Sequence, residues 1–219
     1  MTEALVVSGA GPYADPWHSF PDTSERLAQT VAGLGYTVAV RDDVETVLAK
    51  PGPCRLLVVN VGNPATPRPP AAIDAVRAGL EDHLALGGSL LGIHACAMSL
   101  TTLPQWPTIL GGQWVHGHSM HPPQSTTTVT VSRAEHPVTA GLSDFTVHDE
   151  RYSYLRTEPD ITVLCEHIHD ERPHPLAWAR QSGPSRVVYD GLGHDTASYD
   201  SPGHVALLRR AVRWLLHDL

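Results

Sequence analysis

The sequence predicts an α/β fold: a doubly wound, mostly parallel sheet flanked by helices, with a β-rich insertion. Three observations carry this. Short apolar runs alternate with helix-patterned stretches through residues 4–100, the βαβ rhythm of a parallel sheet. Residues 55–61 and 89–93 are apolar nearly throughout, as strands buried on both faces are. After Trp106 the texture changes, and residues 126–132 alternate Thr with Val like a half-exposed strand.

Residues 4–8 form the first expected strand, and Gly9-Ala10-Gly11-Pro12 the loop after it. Asp22-Thr23-Ser24-Glu25 supply capping residues for a helix reaching about Leu34, which Gly35 ends. Residues 36–40 and 55–61 are the second and third strands, and 64–70 a proline-rich loop. Ile73, Val76, Leu80 and Leu84 recur at helical spacing, so 71–86 is a helix that Gly87-Gly88 stops. Residues 89–93 are the fourth strand, and 95–100 begin another helix. Further strands are expected over 126–132, 161–166, 175–179 and 186–190. The last helix spans 202–216, with Val205, Leu208, Val212 and Leu215 on one face. No repeat or linker divides the chain, which predicts one domain over 1–219.

With 42% hydrophobic residues in 219, the chain can build a sizeable core. A net charge of -8 and the lack of any Lys/Arg cluster argue against nucleic acid and anionic membrane as partners. No apolar stretch approaches the roughly 18 residues of a membrane span. The opening Met1-Thr2-Glu3-Ala4 lacks a basic region, so no signal peptide is expected. Cys54, Cys96 and Cys165 lie far apart in apolar contexts and read as reduced, buried thiols of a cytoplasmic protein. A homo-oligomer is left open. The unusual feature is histidine: 14 residues, nearly matching Lys plus Arg at 15.

Ligands of open α/β sheets bind at the carboxyl ends of the strands. That rule selects the loops 9–18, 60–70, the residues from His94, and 193–195. In Gly92-Ile93-His94-Ala95-Cys96 a strand turns sharply into a helix between small residues, as at a nucleophile elbow, with His94 at the apex. Imidazole moves protons or binds metal near neutral pH but seldom forms an acyl intermediate. His116-Gly117-His118-x-x-His121 is the densest histidine cluster. It is a candidate for a divalent metal such as zinc if His94, Asp149 or His194 converges on it. No H-E-x-x-H or C-x-x-C signature accompanies it, and no cofactor is otherwise indicated. In His148-Asp149-Glu150-Arg151-Tyr152, strand alternation sends one carboxylate into the cleft and leaves the other for Arg151 or Arg156. Asp195 either orients His194 or caps the following turn. The loop Gly9-Ala10-Gly11-Pro12-Tyr13 permits close ligand approach but is not a dinucleotide fingerprint, because position 14 is Ala. Of the tryptophans, Trp114 beside the histidine loop is the best placed to offer a flat stacking face to a ligand.

Six segments in order carry a family resemblance. They are Gly92-Ile-His94-Ala; Leu110-Gly-Gly-Gln-Trp114 with Gly117-His118 and Gln124; His136-Pro137-Val-Thr139-x-Gly-Leu142; Asp149-Glu150-x-Tyr152; His174-Pro-Leu-Ala-Trp178; and Arg186-Val-Val-Tyr189 through Leu192-Gly-His194-Asp195. The chain resembles the ThuA-like family, named for trehalose utilisation, whose fold is similar to that of class I glutamine amidotransferases. The resemblance implies a flavodoxin-like sheet and a role in carbohydrate metabolism, on disaccharides or keto-sugars. It implies a pocket of His94, His118, Glu150 or Asp149, Tyr152 and His194. Amidotransferases carry a cysteine at the elbow apex; here His94 stands there, and Cys96 takes the place of the second glycine. His194 lies where their histidine would be. The expected chemistry is acid/base work by His94 and His194, with the carboxylate orienting hydroxyls and no glutaminase activity. Two alternatives remain: a metal-dependent hydrolase or lyase built on His116, His118 and His121, and a non-catalytic sugar-binding or sensing module.

Overall fold

The computed structural model describes residues 2–64 and 66–219. Met1, the first residue of the single-domain reading, and Ala65, inside the expected proline-rich loop, lie outside the described residues. The first half alternates as anticipated. β1 (Ala4–Ser8) leads through a short 3-10 turn (Gly11–Tyr13) into α1 (Phe20–Ala32), β2 (Val38–Arg41), α2 (Val44–Ala49), β3 (Leu56–Asn60), α3 (Pro70–Ala85) and β4 (Ser89–Ile93). α1 starts two residues before the expected cap because Pro21, with no N–H to lose, occupies its first turn. The six residues of α2 are too few to display a helical period, so the sequence did not announce it.

The second half is α4 (Trp106–Leu110), β5 (Gly112–Gln113), β6 (Ser125–Val131), β7 (Phe145–Asp149), β8 (Arg156–Thr157), β9 (Thr162–His169), β10 (Arg172–Ser182), β11 (Ser185–Asp190), a 3-10 turn (Thr196–Asp200) and α5 (Pro202–Leu215). The helix expected over 95–100 is instead a 3-10 turn, His94–Met98. Ser99 is extended, and its hydroxyl donates to the carbonyls of Ala95 and Val61, so the turn closes rather than propagating. β9 and β10 run well beyond the apolar segments that predicted them. Asp170 and Glu171 both take left-handed backbone (φ 48° and 60°) and join the two strands in a tight hairpin. That geometry is usually signalled by Asn-Gly or Asp-Gly, not Asp-Glu.

Among the described residues the main sheet has nine strands, in the order β2-β1-β3-β4-β11-β10-β9-β6-β7. The first five are parallel in the flavodoxin-like order. From β10 onward the pairing is antiparallel. β6, β7, β9 and β10 of the β-rich part thus prolong the same sheet, which is mixed, while β5 and β8 pair in a separate two-stranded sheet.

Alternating side chains of the parallel strands split the core. On one face, Val6, Val58, Leu91 and Val188 pack against Leu27 and Val31 of α1 and Leu208 and Val212 of α5. On the other, Val7, Val59, Leu90 and Val187 meet α2 and α3 through Leu48, Val76 and Leu80. The three cysteines are free and buried. Among the described residues no helix is long and apolar enough to cross a membrane.

One buried polar cluster ties α5 to the sheet. His204 Nε2 donates to Asp190 Oδ2 at 3.0 Å, and its Nδ1 donates to the Ser198 carbonyl at 3.0 Å. The Ser198 hydroxyl sits 2.9 Å from the same Nδ1, so the trio has the composition of a hydrolase triad. All three side chains are buried, which makes the arrangement structural. Burial pulls the His204 imidazole down, but the Asp190 carboxylate outweighs it, and the group titrates above its ordinary value of 6.5. Its stabilising contribution is therefore complete below the ordinary imidazole range and fades as pH rises through the raised value. Replacing His204 by Asn leaves the Asp190 charge unpaired and should cost about 3–5 kcal/mol. Denaturant unfolding at acidic and alkaline pH checks this: the gap between wild type and variant should narrow on the alkaline side.

Candidate functional site

Three strand ends of the parallel half point their following residues at one place. β4 ends at Ile93, and His94 opens the 3-10 turn with left-handed backbone, φ 41°. A non-glycine residue rarely holds such a conformation, and strained residues at a strand-to-helix turn are a mark of functional elbows. The surroundings hold it there. A Cβ on Gly92 would fall 2.6 Å from Cys96 Sγ, so only glycine lets Cys96 pack behind the elbow. Tyr189 Oη donates to the His94 carbonyl at 3.0 Å, and Trp106 Nε1 to the Cys96 carbonyl at 2.8 Å. The His94 side chain is 1% exposed. Its Nδ1 donates to the Gly191 carbonyl at 2.7 Å, which leaves the Nε2 lone pair facing inward.

The loop after β11 brings His194. Gly193 turns the chain with φ 107°, a value that favours glycine. Asp149, at the end of β7, is fully buried and secures this turn. Its carboxylate accepts the backbone N–H groups of Gly193 at 2.7 Å, His194 at 3.2 Å and Glu150 at 2.8 Å. The loop after β1 brings His18, whose Nδ1 lies 2.8 Å from both oxygens of Asp15. Asp15 also accepts the N–H groups of Trp17 and His18, each at 2.9 Å.

Glu150 closes the group. Its Oε2 lies 3.3 Å from His194 Nδ1 and 3.6 Å from His94 Nε2, and its Oε1 lies 3.5 Å from His121 Nδ1. The imidazoles of His18, His94 and His194 meet edge to face, with ring centres 4.8–5.5 Å apart. Tyr152 covers His94 at 4.2 Å, and Trp114 stands edge-on to Tyr152 at 4.7 Å. Burial and the neighbouring His94 hold His18 down at about 4, against the pull of Asp15. The same two causes lower His194. Burial pushes Glu150 up, but the imidazoles around it prevail and keep it below the usual carboxylate range. Burial, then the Glu150 and Asp149 carboxylates, raises Tyr152 well above the normal phenol range, so it stays neutral.

With this geometry in view, comparison with known proteins is decisive for the family. The family model described as ThuA, trehalose utilisation, matches residues 4–215. The chain belongs to the ThuA family. A ThuA-like protein from Parabacteroides merdae superposes with a TM-score of 0.80 at 19% identity, covering 97% of this chain and 88% of that one. One from Bacteroides uniformis gives 0.75 at 21% identity, covering 98% and 91%. A glutamine amidotransferase from Thermotoga maritima gives 0.55 at 10% identity, covering 98% of each. These likenesses establish a shared fold. No curated protein sequence matches the chain.

The residues singled out from the sequence of this ThuA-family chain divide into two groups. His94, His194, Glu150, Tyr152 and Trp114 come together. Of His116, His118 and His121, only His121 reaches Glu150, which corrects the expected metal trio. His116 and His118 are exposed, and the ring of His118 lies against Tyr154 at 5.9 Å. The Pro122-Pro123 run directs this loop, and nothing local in the sequence reveals which histidine turns inward. Asp149 and Glu150 do separate as strand alternation requires, but Asp149 takes backbone N–H groups rather than an arginine. Arg151 instead donates to Ser125 Oγ at 3.0 Å. Asp195 caps the 3-10 turn through Ala197 N–H and accepts from Gln124, so it does not orient His194. Tyr13 is buried outside the group, its hydroxyl donating to Glu45 at 3.1 Å. His18 and its partner Asp15 were missed as site residues. Their signal was position alone: an Asp-x-x-His at the close of a strand-end loop.

Asp149→Asn would set an amide N–H₂ against backbone donors. We expect a loss of about 1–3 kcal/mol and faster amide hydrogen exchange over residues 193–195. Unchanged exchange there would show that the carboxylate does not anchor the His194 turn.

Proposed function

We propose that this chain is an enzyme of carbohydrate metabolism that moves protons on a small polyhydroxylated substrate, of the disaccharide or keto-sugar class, at the Glu150 recess. One observation carries the reading: a half-buried carboxylate stands 3.3–3.6 Å from three imidazoles at the carboxyl ends of a parallel sheet. A carboxylate flanked by imidazoles of different exposure can accept a proton on one side and pass it on at the other. His94 is fixed in one tautomer by the Gly191 carbonyl, so its Nε2 can only accept until it is protonated. His121, 37% exposed, links Glu150 to solvent. The partly exposed Trp114 packs on the buried Tyr152, and the exposed indole of Trp17 directly precedes His18. Rings of this kind stack on the apolar faces of sugars while neighbouring polar groups hold the hydroxyls. The family's description points to the same substrate class.

Glutaminase chemistry is not part of the proposal. The apex of the elbow is an imidazole, and the nearby thiol of Cys96 is fully buried. Burial raises that thiol well above its normal range and leaves it in the unreactive protonated form.

A turnover screen of purified protein against disaccharides and their 3-keto derivatives tests the reading. Glu150→Gln should lower turnover at least about a hundredfold while changing stability by less than about 1 kcal/mol. Sugar binding without turnover of any candidate would make the chain a binding module instead. Glutamine should release no ammonia; release that disappears in Cys96→Ala would overturn the exclusion of amidotransferase chemistry.

A further inference from the structure

We infer that His18, His94, His194 and Glu150 form a mononuclear site for a divalent transition-metal ion of the zinc class. Ligand-type atoms of these four side chains all lie within 4.8 Å of one another. Among them, His18 Nε2, His94 Nε2 and His194 Nδ1 are buried and lack a hydrogen-bond partner. A buried polar atom without a partner costs about 1–3 kcal/mol, and here three occur side by side. Each is a nitrogen, and they gather about one carboxylate.

The opposite nitrogens explain the orientation. His94 Nδ1 donates to the Gly191 carbonyl and His18 Nδ1 to the Asp15 carboxylate, so in the neutral imidazole each ring presents a lone pair, not an N–H, to the centre. Lone pairs aimed at one another and at a carboxylate repel unless a cation lies between them. A histidine backed by a carboxylate or a carbonyl is also the usual support of a metal ligand, since it fixes the tautomer and raises the basicity of the coordinating nitrogen. Three imidazoles and one carboxylate suit zinc, at about 2.0–2.2 Å from each donor. Seating the ion draws the donors together by a small rotation of His194 and Glu150, the two less buried groups. The elbow imidazole need not move, because its backbone and Nδ1 are already held.

The site differs from the histidine loop that the sequence suggested. It draws one ligand from each of three strand-end loops and the fourth from the residue after β7. Only the claim that the ion serves catalysis, holding a hydroxyl or carbonyl oxygen of the substrate, rests on the proposed function; ion binding itself does not. With the ion seated, the proton path is left to Glu150 Oε1 and His121, outside the histidine ligands.

Full-length protein stripped with EDTA and titrated with zinc against a chromogenic chelator tests the site. Wild type should take up one zinc per chain with Kd below about 1 μM. Glu150→Gln should weaken binding at least about tenfold and His18→Ala about a hundredfold. Asp15→Asn, which alters the support of His18 at its far nitrogen and at the backbone N–H groups of Trp17 and His18 while removing no ligand, should weaken it about tenfold. His116→Ala and His118→Ala should leave it unchanged. Cobalt(II) in place of zinc should give visible ligand-field bands in wild type that are altered in Glu150→Gln. Circular dichroism reports folding, and if His18→Ala does not fold, Asp15→Asn and Glu150→Gln carry the test. Zinc affinity no tighter than millimolar in wild type, or binding unaffected by Asp15→Asn and Glu150→Gln, overturns the site. Sugar turnover followed on the same samples separates the two claims. Zinc bound with no turnover overturns the proposed function and leaves the site, whereas full turnover by metal-free protein overturns the catalytic role of the ion and leaves the proposed function.

Discussion

The buried carboxylate of Asp149 is the joint on which the site depends. In hydrogen-bonding order, β7 is the far edge of the sheet, four strands beyond β11. Yet Asp149 accepts the N–H groups of Gly193 and His194, in the loop that follows β11. The two ends of the antiparallel half meet because the sheet coils as it extends, as twisted sheets do. β7 then lies against the C-terminal elements: Ser201 Oγ donates to the Thr146 carbonyl, and Phe145 sits on Gly203 at the start of α5. With β7 so placed, the residue after Asp149 has its carboxylate over the strand ends of the parallel half. The same backbone that buries one acid structurally delivers the next one to the histidines.

The elbow supplies the second constraint. A parallel strand buried on both faces has no room for a polar side chain until it ends, and β4 ends at Ile93. His94 emerges there in a left-handed conformation that costs of order 1–3 kcal/mol. Packing over-determines it: Cys96 beneath Gly92, Tyr189 and Trp106 on the turn carbonyls, and Gly191 on the ring nitrogen. In the shared amidotransferase-like fold such an elbow can present a reactive thiol. Here it presents an imidazole that cannot swing away from its carbonyl partner without losing that bond.

Crowding gives the recess its electrical character. Burial first, and then the nearby His94, disfavour protonation of His18 and His194. Glu150 is drawn the other way by the same neighbours. The result is a cluster of imidazole nitrogens around one carboxylate, open on one side toward the partly exposed His121 and closed on the other by Tyr152. Such a cluster suits a small cation or a proton in transit.

What the sequence determined by itself is whatever local periodicity and spacing encode. The apolar runs marked the parallel strands, and the helical spacing of Ile73, Val76 and Leu80 marked α3. Small residues around His94 marked the elbow, and the six ordered segments marked the family. These signals are local, or repeat often enough along the chain to be read without contacts. The tertiary structure alone decided the rest. It joined β6, β7, β9 and β10 to the main sheet, because strand pairing depends on partners distant in sequence. It sent Glu150 inward and used Asp149 as an anchor, because alternation says that adjacent side chains part but not which one faces the recess. It turned His121 toward the carboxylate and left His116 and His118 in solvent, because a loop's path is set by what it packs on. And it brought in His18, whose role exists only because three loops, separated by some 180 residues of chain from first to last, end at the same edge of one sheet.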